Sequence, residues 1–169
     1  MPKSKTYSNY PFWIVIFSNT VALSMYVLGL FIILRLGWMV ALIYILYILF
    51  LEWKTLRQYC INCYYYGKNC ALGKGRVCSC FFKKGNISKF IHSKTTWRDM
   101  IPGLLVTLIP FLLGIVLLMI KFDIWILLAM ILLFFLTTSG NAFMHINLIC
   151  KYCKQRILGC PAERLFRKK

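Results

Sequence analysis

Acidic residues are scarce in this sequence. The 169 residues include only four carboxylates, against 21 lysines and arginines. The four are Glu52, Asp99, Asp123 and Glu163, and no two of them are close along the chain. Because carboxylate-based hydrolysis relies on a pair of positioned acids, the composition disfavours this class of enzyme.

Histidine is scarcer still, with two residues in the whole chain. Haem held between membrane helices needs axial ligands such as histidine on facing positions, and only His145 falls in an apolar stretch. The sequence also has no segment long and polar enough for a separate soluble domain. These absences leave no evident haem-based electron route.

Apolar residues, by contrast, are abundant. They make up 60% of the chain, whereas soluble domains average about 45–50%. A helix needs roughly 20 apolar residues to span a bilayer. The sequence therefore predicts an all-α integral membrane protein with four transmembrane helices, at about 12–34, 36–53, 101–120 and 124–149.

The connections between these helices predict two antiparallel hairpins. "RLG" joins the first two helices and "KFD" joins the last two, and both turns are very short. The predicted organisation is a tail and first hairpin (1–53), a basic cysteine-rich loop (54–99), a second hairpin (100–149) and a cysteine-containing tail (150–169). Each hairpin is followed by cysteines, which is typical of a parallel repeat about an axis along the membrane normal.

Positive charge is concentrated on one side of the predicted spans. Nineteen of the 21 lysines and arginines lie in the N-terminal tail, the long loop or the C-terminal tail. The positive-inside rule then places both termini and both cysteine-rich segments in the cytoplasm. The same charge suits anionic lipid headgroups and makes nucleic acid a disfavoured partner. A larger membrane complex and a homo-oligomer both remain open.

Cysteines follow one spacing twice. "CINCYYYGKNC" and "CKYCKQRILGC" both fit C-x2-C-x6-C, displaced by 90 residues. The eight cysteines are Cys60, Cys63, Cys70, Cys78, Cys80, Cys150, Cys153 and Cys160. They stand among polar and basic residues rather than in a predicted hydrocarbon core. Since a reducing cytoplasm disfavours disulfides, we interpret them as metal ligands.

Two arrangements of these ligands are open. Zinc prefers four ligands in a tetrahedron, and the two C-x2-C pairs together would supply four thiolates. Alternatively, each triplet forms its own site, with Cys78 and Cys80 completing one site each. Eight thiols suit two sites of four, which would hold zinc or iron–sulfur clusters.

A second group of polar residues lies within the predicted membrane spans. Thr138, Asn141 and His145 have spacings of three and four, which would align them on one face of an α-helix. Asn19 of the first span is a candidate partner. Polar groups at membrane depth usually face the interior of a bundle, so the group is either a functional site or a helix–helix contact.

Three functions remain after the sequence is read. The first is a redox or metal-sensing membrane protein with a cytoplasmic thiolate cap. The second is a structural, zinc-stapled adaptor or complex subunit without catalysis, and the third is a membrane thiol enzyme. The topology superficially resembles the protein S-acyltransferases, but their Asp-His-His-Cys motif is absent. Enzymatic activity therefore stays undecided, with a non-catalytic role favoured.

Overall fold

The computed structural model describes residues 6–93, 96–161 and 163. These residues form helices and connecting turns, and the only strand-like pairing among them is a parallel bridge between Tyr7 and Cys153. The α-helices are α1 (Phe12–Leu34), α2 (Trp38–Gln58), α3 (Lys74–Phe81), α4 (Ile87–His92), α5 (Trp97–Ile120), α6 (Ile124–Phe135), α7 (Asn141–Phe143) and α8 (Lys154–Gly159). A 3₁₀ turn covers Cys60–Asn62, and π turns cover Leu136–Gly140 and Met144–Ile149.

Four helical segments are long and apolar enough to cross a membrane. They are Phe12–Leu34, Trp38–Asn62, Trp97–Ile120 and Ile124–Ile149. Only 17–22% of each segment's most apolar window is buried inside the protein, so large apolar side chains face outward, as a lipid environment requires. The predicted all-helical class and the four apolar spans are thus confirmed.

The ends of the predicted spans differ from the observed ones by several residues. Helix α2 runs to Gln58 instead of ending near Trp53, because the basic residues that follow the apolar run continue the helix. Helix α5 begins at Trp97, directly after Thr96, and therefore includes Arg98 and Asp99. The hairpin arrangement and the side of the membrane stay predictions.

The chain divides into two compact units. The cysteine unit comprises the described residues of Met1–Asn19, Trp53–Trp97 and Phe143–Lys169. The helical unit comprises Thr20–Glu52 and Arg98–Ala142. All eight cysteines belong to the first unit, although two stretches of other sequence separate its three parts.

The helical unit is held by two apolar clusters. In the first, Ile32 of α1 packs with Ile126, Met130 and Leu133 of α6. Close packing here depends on Gly114, where an added Cβ would lie 2.6 Å from the sulfur of Met130. Small residues at such positions let membrane helices approach one another.

The second cluster joins α1, α2 and α5, and hydrogen bonds from tyrosine hydroxyls add to its apolar contacts. Ile33, Ala41, Tyr44 and Val106 are buried together. The hydroxyl of Tyr44 donates to the carbonyl oxygen of Val106 at 2.8 Å. The hydroxyl of Tyr47, also on α2, donates to the carbonyl oxygen of Pro102. Each hydroxyl satisfies an otherwise costly buried polar group.

The two short turns of the helical unit also meet. The guanidinium of Arg35 lies 3.6 Å from the carboxylate of Asp123 and stacks over Phe31. The same carboxylate accepts from the backbone N–H of Trp125 and so caps α6. Arg35 and Asp123, which are far apart in the sequence, thus form an ion pair.

Candidate functional site

The two C-x2-C pairs form turns with the same backbone hydrogen bonds. In the first, the N–H of Cys63 donates to the carbonyl of Cys60 at 3.3 Å. In the second, the N–H of Cys153 donates to the carbonyl of Cys150 at 3.4 Å. We call the turns 60–66 and 150–156 the first and second knuckles. Each continues with a further N–H to carbonyl bond from the residue three positions after its second cysteine.

The knuckles are joined by a reciprocal pair of hydrogen bonds. The backbone N–H of Tyr64 donates to the side-chain oxygen of Gln155 at 2.9 Å. The backbone N–H of Lys154 donates to the hydroxyl oxygen of Tyr65 at 2.9 Å. Residues 64 and 154, and likewise 65 and 155, occupy equivalent places in the two copies. The exchange is therefore pseudo-twofold, each knuckle supplying one backbone donor and one side-chain acceptor.

The segment before α1 fastens both knuckles. Tyr7 donates its N–H to the carbonyl of Tyr152 at 3.0 Å, and its own carbonyl accepts from the hydroxyl of Tyr65 at 2.7 Å. Tyr10, almost fully buried, donates its N–H to the carbonyl of Asn69. Residues 7–10 thus contribute backbone groups to the loops of both triplets.

The thiols of the two knuckles lie near one another. Burial raises the pKa of Cys63 to about 11, the backbone N–H of Tyr65 lowers it, and charge on Cys153, Cys70 or Cys160 would raise it. Burial also raises the pKa of Cys153, opposed by backbone N–H donors from Arg156 and Gln155. Both second cysteines therefore receive an N–H from the residue two positions on, and both are neutral thiols at pH 7 without a bound cation.

Helix α3 brings a fourth cysteine to the first triplet. Gly75, in its first turn, lies so close to the carbonyls of Tyr65 and Lys68 that a Cβ would collide with both. The N–H of Gly75 also donates to the sulfur of Cys70 at 3.3 Å. One turn further, Cys78 is fully buried, with its sulfur 3.6 Å from the carbonyl oxygen of Leu56.

Cys78 and Cys80 have different surroundings. Burial raises the pKa of Cys78, and charge on Cys70 would raise it further. Cys60 is within electrostatic range of Cys70 and Cys78 as well. Cys80 is exposed, since residues two apart on an α-helix point about 200° apart.

The second triplet stands next to a histidine. The ring Nδ1 of His145 lies 3.9 Å from the sulfur of Cys150, and the N–H of Cys150 donates to the carbonyl of His145 at 2.8 Å. This five-residue hydrogen bond belongs to the π turn Met144–Ile149. π turns are rare and frequently occur at functional sites.

Two other residues of the predicted polar site, Asn19 and Thr138, bond within their own helices. Asn19 donates to the carbonyl of Val15 at 2.7 Å, and Thr138 donates to the carbonyl of Phe134 at 2.7 Å. The α-helical periodicity that grouped Thr138, Asn141 and His145 does not apply here, because π turns interrupt the segment 136–149. Their role as one polar site stays a prediction.

The thiols do not form a complete metal site among the described residues. Across 6–93, 96–161 and 163, no three side chains of His, Cys, Asp or Glu converge tightly enough to hold an ion. The donor set nevertheless fits a thiophilic metal, since thiols predominate and backbone N–H groups already point at Cys63, Cys70 and Cys153. Ligation by the eight cysteines remains a prediction.

Three site residues escaped the sequence reasoning. Gln155 is buried, and its amide donates to the carbonyl of Gly159 while its oxygen accepts from Tyr64. Tyr65 and Tyr10 are buried beside the thiols, and burial raises the pKa of Tyr65 to about 12. The usable signal was positional: Tyr65 and Gln155 are one of two pairs at this offset, with Asn62 and Tyr152, whose side chains both carry oxygen inside the knuckles.

Basic side chains surround the knuckles. The ammonium groups of Lys68 and Lys154 lie 4.2 and 4.9 Å from the ring centroid of Tyr64. Lys68 belongs to the loop of the first triplet, and Lys154 to the second knuckle. Positive charge from both copies therefore collects at one aromatic ring, where it would offset the negative charge of metal-bound thiolates.

Comparison with known proteins gives no relative to guide the assignment: no family model, no curated protein and no solved structure matches this chain.

Proposed function

We propose that this protein is a polytopic membrane protein with a thiolate metal-binding cap on the cytoplasmic side. The cap senses metal or redox state, or carries electrons, through zinc or iron–sulfur sites. The positive-inside bias supports this orientation, because the knuckles stand among the basic residues. The same charge would attract anionic headgroups.

One observation carries the proposal: the reciprocal hydrogen bonds bring two identical thiol turns together. Tyr64 N–H bonds to Gln155, and Lys154 N–H bonds to Tyr65, both at 2.9 Å. A repeat serving only to end two helices would not need its turns interlocked. Interlocked turns with N–H groups aimed at sulfur support a shared metal function.

The protonation of the thiols argues against nucleophilic catalysis in the metal-free protein. The thiolate is the nucleophile in thiol enzymes, and such enzymes lower the pKa of the attacking cysteine. Here burial raises the pKa of Cys63 to about 11 and also raises that of Cys153. A metal ion would have to displace these protons on binding, so the support for ligation comes from the paired turns and the N–H groups that point at sulfur.

A second candidate is a structural zinc staple in an adaptor or complex subunit. The observation that favours it is the extensive fastening of the knuckles by residues 7–10, Tyr65 and Gln155. A site that must move or exchange ligands gains little from such fastening. In this candidate, zinc stabilises the cap and catalyses nothing.

The test is anaerobic purification of the whole chain in detergent, followed by metal and sulfide analysis and an absorption spectrum. Iron with acid-labile sulfide and visible charge-transfer bands would support redox clusters. Zinc in a colourless protein would support zinc sensing or the staple, which differ in whether zinc exchanges with a chelator. The variants Cys63→Ser and Cys153→Ser should each lower the metal content by at least half.

The matched control is Ser79→Ala, an exposed side chain on α3, which should keep the full metal content. Wild-type protein that contains no metal after anaerobic purification, and takes up neither zinc nor iron, would overturn the proposal. Equal metal content in wild type, Cys63→Ser and Cys153→Ser would overturn the ligand assignment.

A further inference from the structure

The position of Cys78 on α3 distinguishes it from Cys80. Both are on an eight-residue helix, but one is fully buried and the other exposed. Because α3 is fixed against the first triplet through Gly75, its buried face is the face that meets the triplet. Only Cys78 is on that face, so the two cysteines are not interchangeable as ligands.

The loop of the first triplet folds against the helix that carries Cys78. The N–H of Gly67 donates to the carbonyl of Gly75 at 3.0 Å, and the N–H of Gly73 donates to the carbonyl of Cys70 at 2.9 Å. The loop 60–75 is thereby folded back on the start of α3. Cys60, Cys63 and Cys70 of this loop, with Cys78, make a set of four thiols from one continuous stretch.

The group that corresponds to Cys78 beside the second triplet is a histidine. It comes from upstream, where the π turn places His145 beside Cys150. In an α-helix, residues five apart would point about 140° apart; the π turn instead brings the ring nitrogen and the sulfur to 3.9 Å. Two ligands of one tetrahedral zinc, with bonds of about 2.3 Å to sulfur and 2.0–2.1 Å to nitrogen, are about 3.6 Å apart.

The thiols do not converge tightly among the described residues, so a bound cation would have to draw them together. We infer that a thiophilic divalent cation such as zinc does so at two unequal tetrahedral centres in the cap. One has the ligands Cys60, Cys63, Cys70 and Cys78. The other has His145, Cys150, Cys153 and Cys160, and Cys80 belongs to neither. This inference rests on the proposed metal-binding function and specifies its ligands. Each cysteine ligand gives up its proton to solvent when the cation binds, and the neutral imidazole gives up none.

The inequality of the centres has a chemical basis. A zinc ion with four thiolates has a net charge of −2, whereas three thiolates and a neutral imidazole leave −1. The centres would therefore differ in affinity and in the number of protons released. A symmetric repeat of cysteines thus gives two different sites because one copy is completed from α3 and the other from the π turn.

The test uses full-length protein in detergent, stripped with a chelator under reducing conditions and reloaded with zinc alone. We expect wild type to bind two zinc ions per chain, and Cys78→Ser and His145→Ala to bind one each. Cys80→Ser is the matched control and should still bind two. A loss of zinc in Cys80→Ser, or full zinc in Cys78→Ser or His145→Ala, would overturn the ligand sets.

A second measurement on wild type avoids any folding defect of the variants. Cys80 and Cys150 are both exposed, so both should react with a thiol reagent in the stripped protein. Zinc should protect Cys150 and leave Cys80 reactive, as read by mass spectrometry. Protection of Cys80, or reactive Cys150 in zinc-loaded protein, would contradict the inference. Failure of wild type to take up zinc or any other metal would instead refute the proposed function itself.

Discussion

At the scale of single residues, the buried amide of Gln155 makes one of the two reciprocal hydrogen bonds between the thiol turns. Its oxygen accepts from the N–H of Tyr64 at 2.9 Å, and its nitrogen donates to Gly159. The same oxygen also lies 3.9 Å from the sulfur of Cys63. A single side chain of the second knuckle therefore orders both the backbone and the thiol of the first.

Replacing Gln155 with leucine should destabilise the cysteine unit. The change keeps the volume but leaves the buried N–H of Tyr64 without its acceptor, at a cost of about 1–3 kcal/mol. We expect a lower midpoint of thermal unfolding, measured by circular dichroism of stripped protein in detergent. The matched control is Gln58→Leu, the same change at an exposed glutamine. Equal midpoints for the two variants would show that the tie contributes nothing.

The cysteine spacing was visible in the sequence, whereas the partners of the thiols were not. C-x2-C predicts a turn that aims two sulfurs together, and the turns at Cys63 and Cys153 have the same hydrogen bonds. The role of Tyr65 and Gln155 depends on how two distant turns meet. No local pattern encodes that meeting, because a tyrosine hydroxyl and an amide oxygen perform one task with different side chains.

At the scale of elements, α3 is placed by a glycine in its first turn. Gly75 faces the carbonyls of Tyr65 and Lys68, and Cys78 follows one turn later on the same side. The short helix is thereby fixed to the loop that precedes it. Its orientation decides which of its two cysteines is buried.

Gly75→Ala should displace α3 and expose Cys78. Alanine usually stabilises a helix relative to glycine by about 1 kcal/mol, but here its Cβ would collide with two backbone carbonyls. We expect faster modification of Cys78 by a thiol reagent in stripped protein. Gly103→Ala in α5 is the control, since no atom lies within 4 Å of the added Cβ. Unchanged reactivity of Cys78 in Gly75→Ala would contradict this account of α3.

Run length was enough to predict four spans, but not how the fourth one ends. The apolar stretch 124–149 is a single helical segment, as expected. Its first part, α6, is a regular α-helix. The wider π turns Leu136–Gly140 and Met144–Ile149 come after it. Hydrophobic periodicity assumes 3.6 residues per turn, so it gave no sign that His145 lies beside Cys150.

At the scale of the whole molecule, the distribution of charge is the strongest constraint on orientation. Nineteen of the 21 basic residues are in the two tails and the long loop, which the predicted hairpins would place on one side with the cysteines, and Arg35 and Lys121 are in the two short turns. Charge bias of this kind determines how a membrane protein inserts. The fold itself is compatible with either orientation, because helix geometry does not depend on the side.

Labelling with a membrane-impermeant thiol reagent should reveal the orientation. Cys80, which is exposed, should react only after the membrane is permeabilised. A cysteine introduced as Lys121→Cys in a Cys80→Ser background should react in intact cells, because the positive-inside rule places that turn outside. The reverse pattern would show that the cysteine segments face outward and would remove the reducing compartment from the proposed function.

The interlock of the two knuckles also determines where this protein tolerates sequence change. Its donors are the backbone N–H groups of residues 64 and 154, and every amino acid except proline provides one. Its acceptors are the side chains of Tyr65 and Gln155, which need an oxygen at a particular reach. The interlock alone would therefore let adjacent positions drift at very different rates: nearly free substitution at 64 and 154, apart from the contact of Lys154 with the Tyr64 ring, and a narrow choice at 65 and 155.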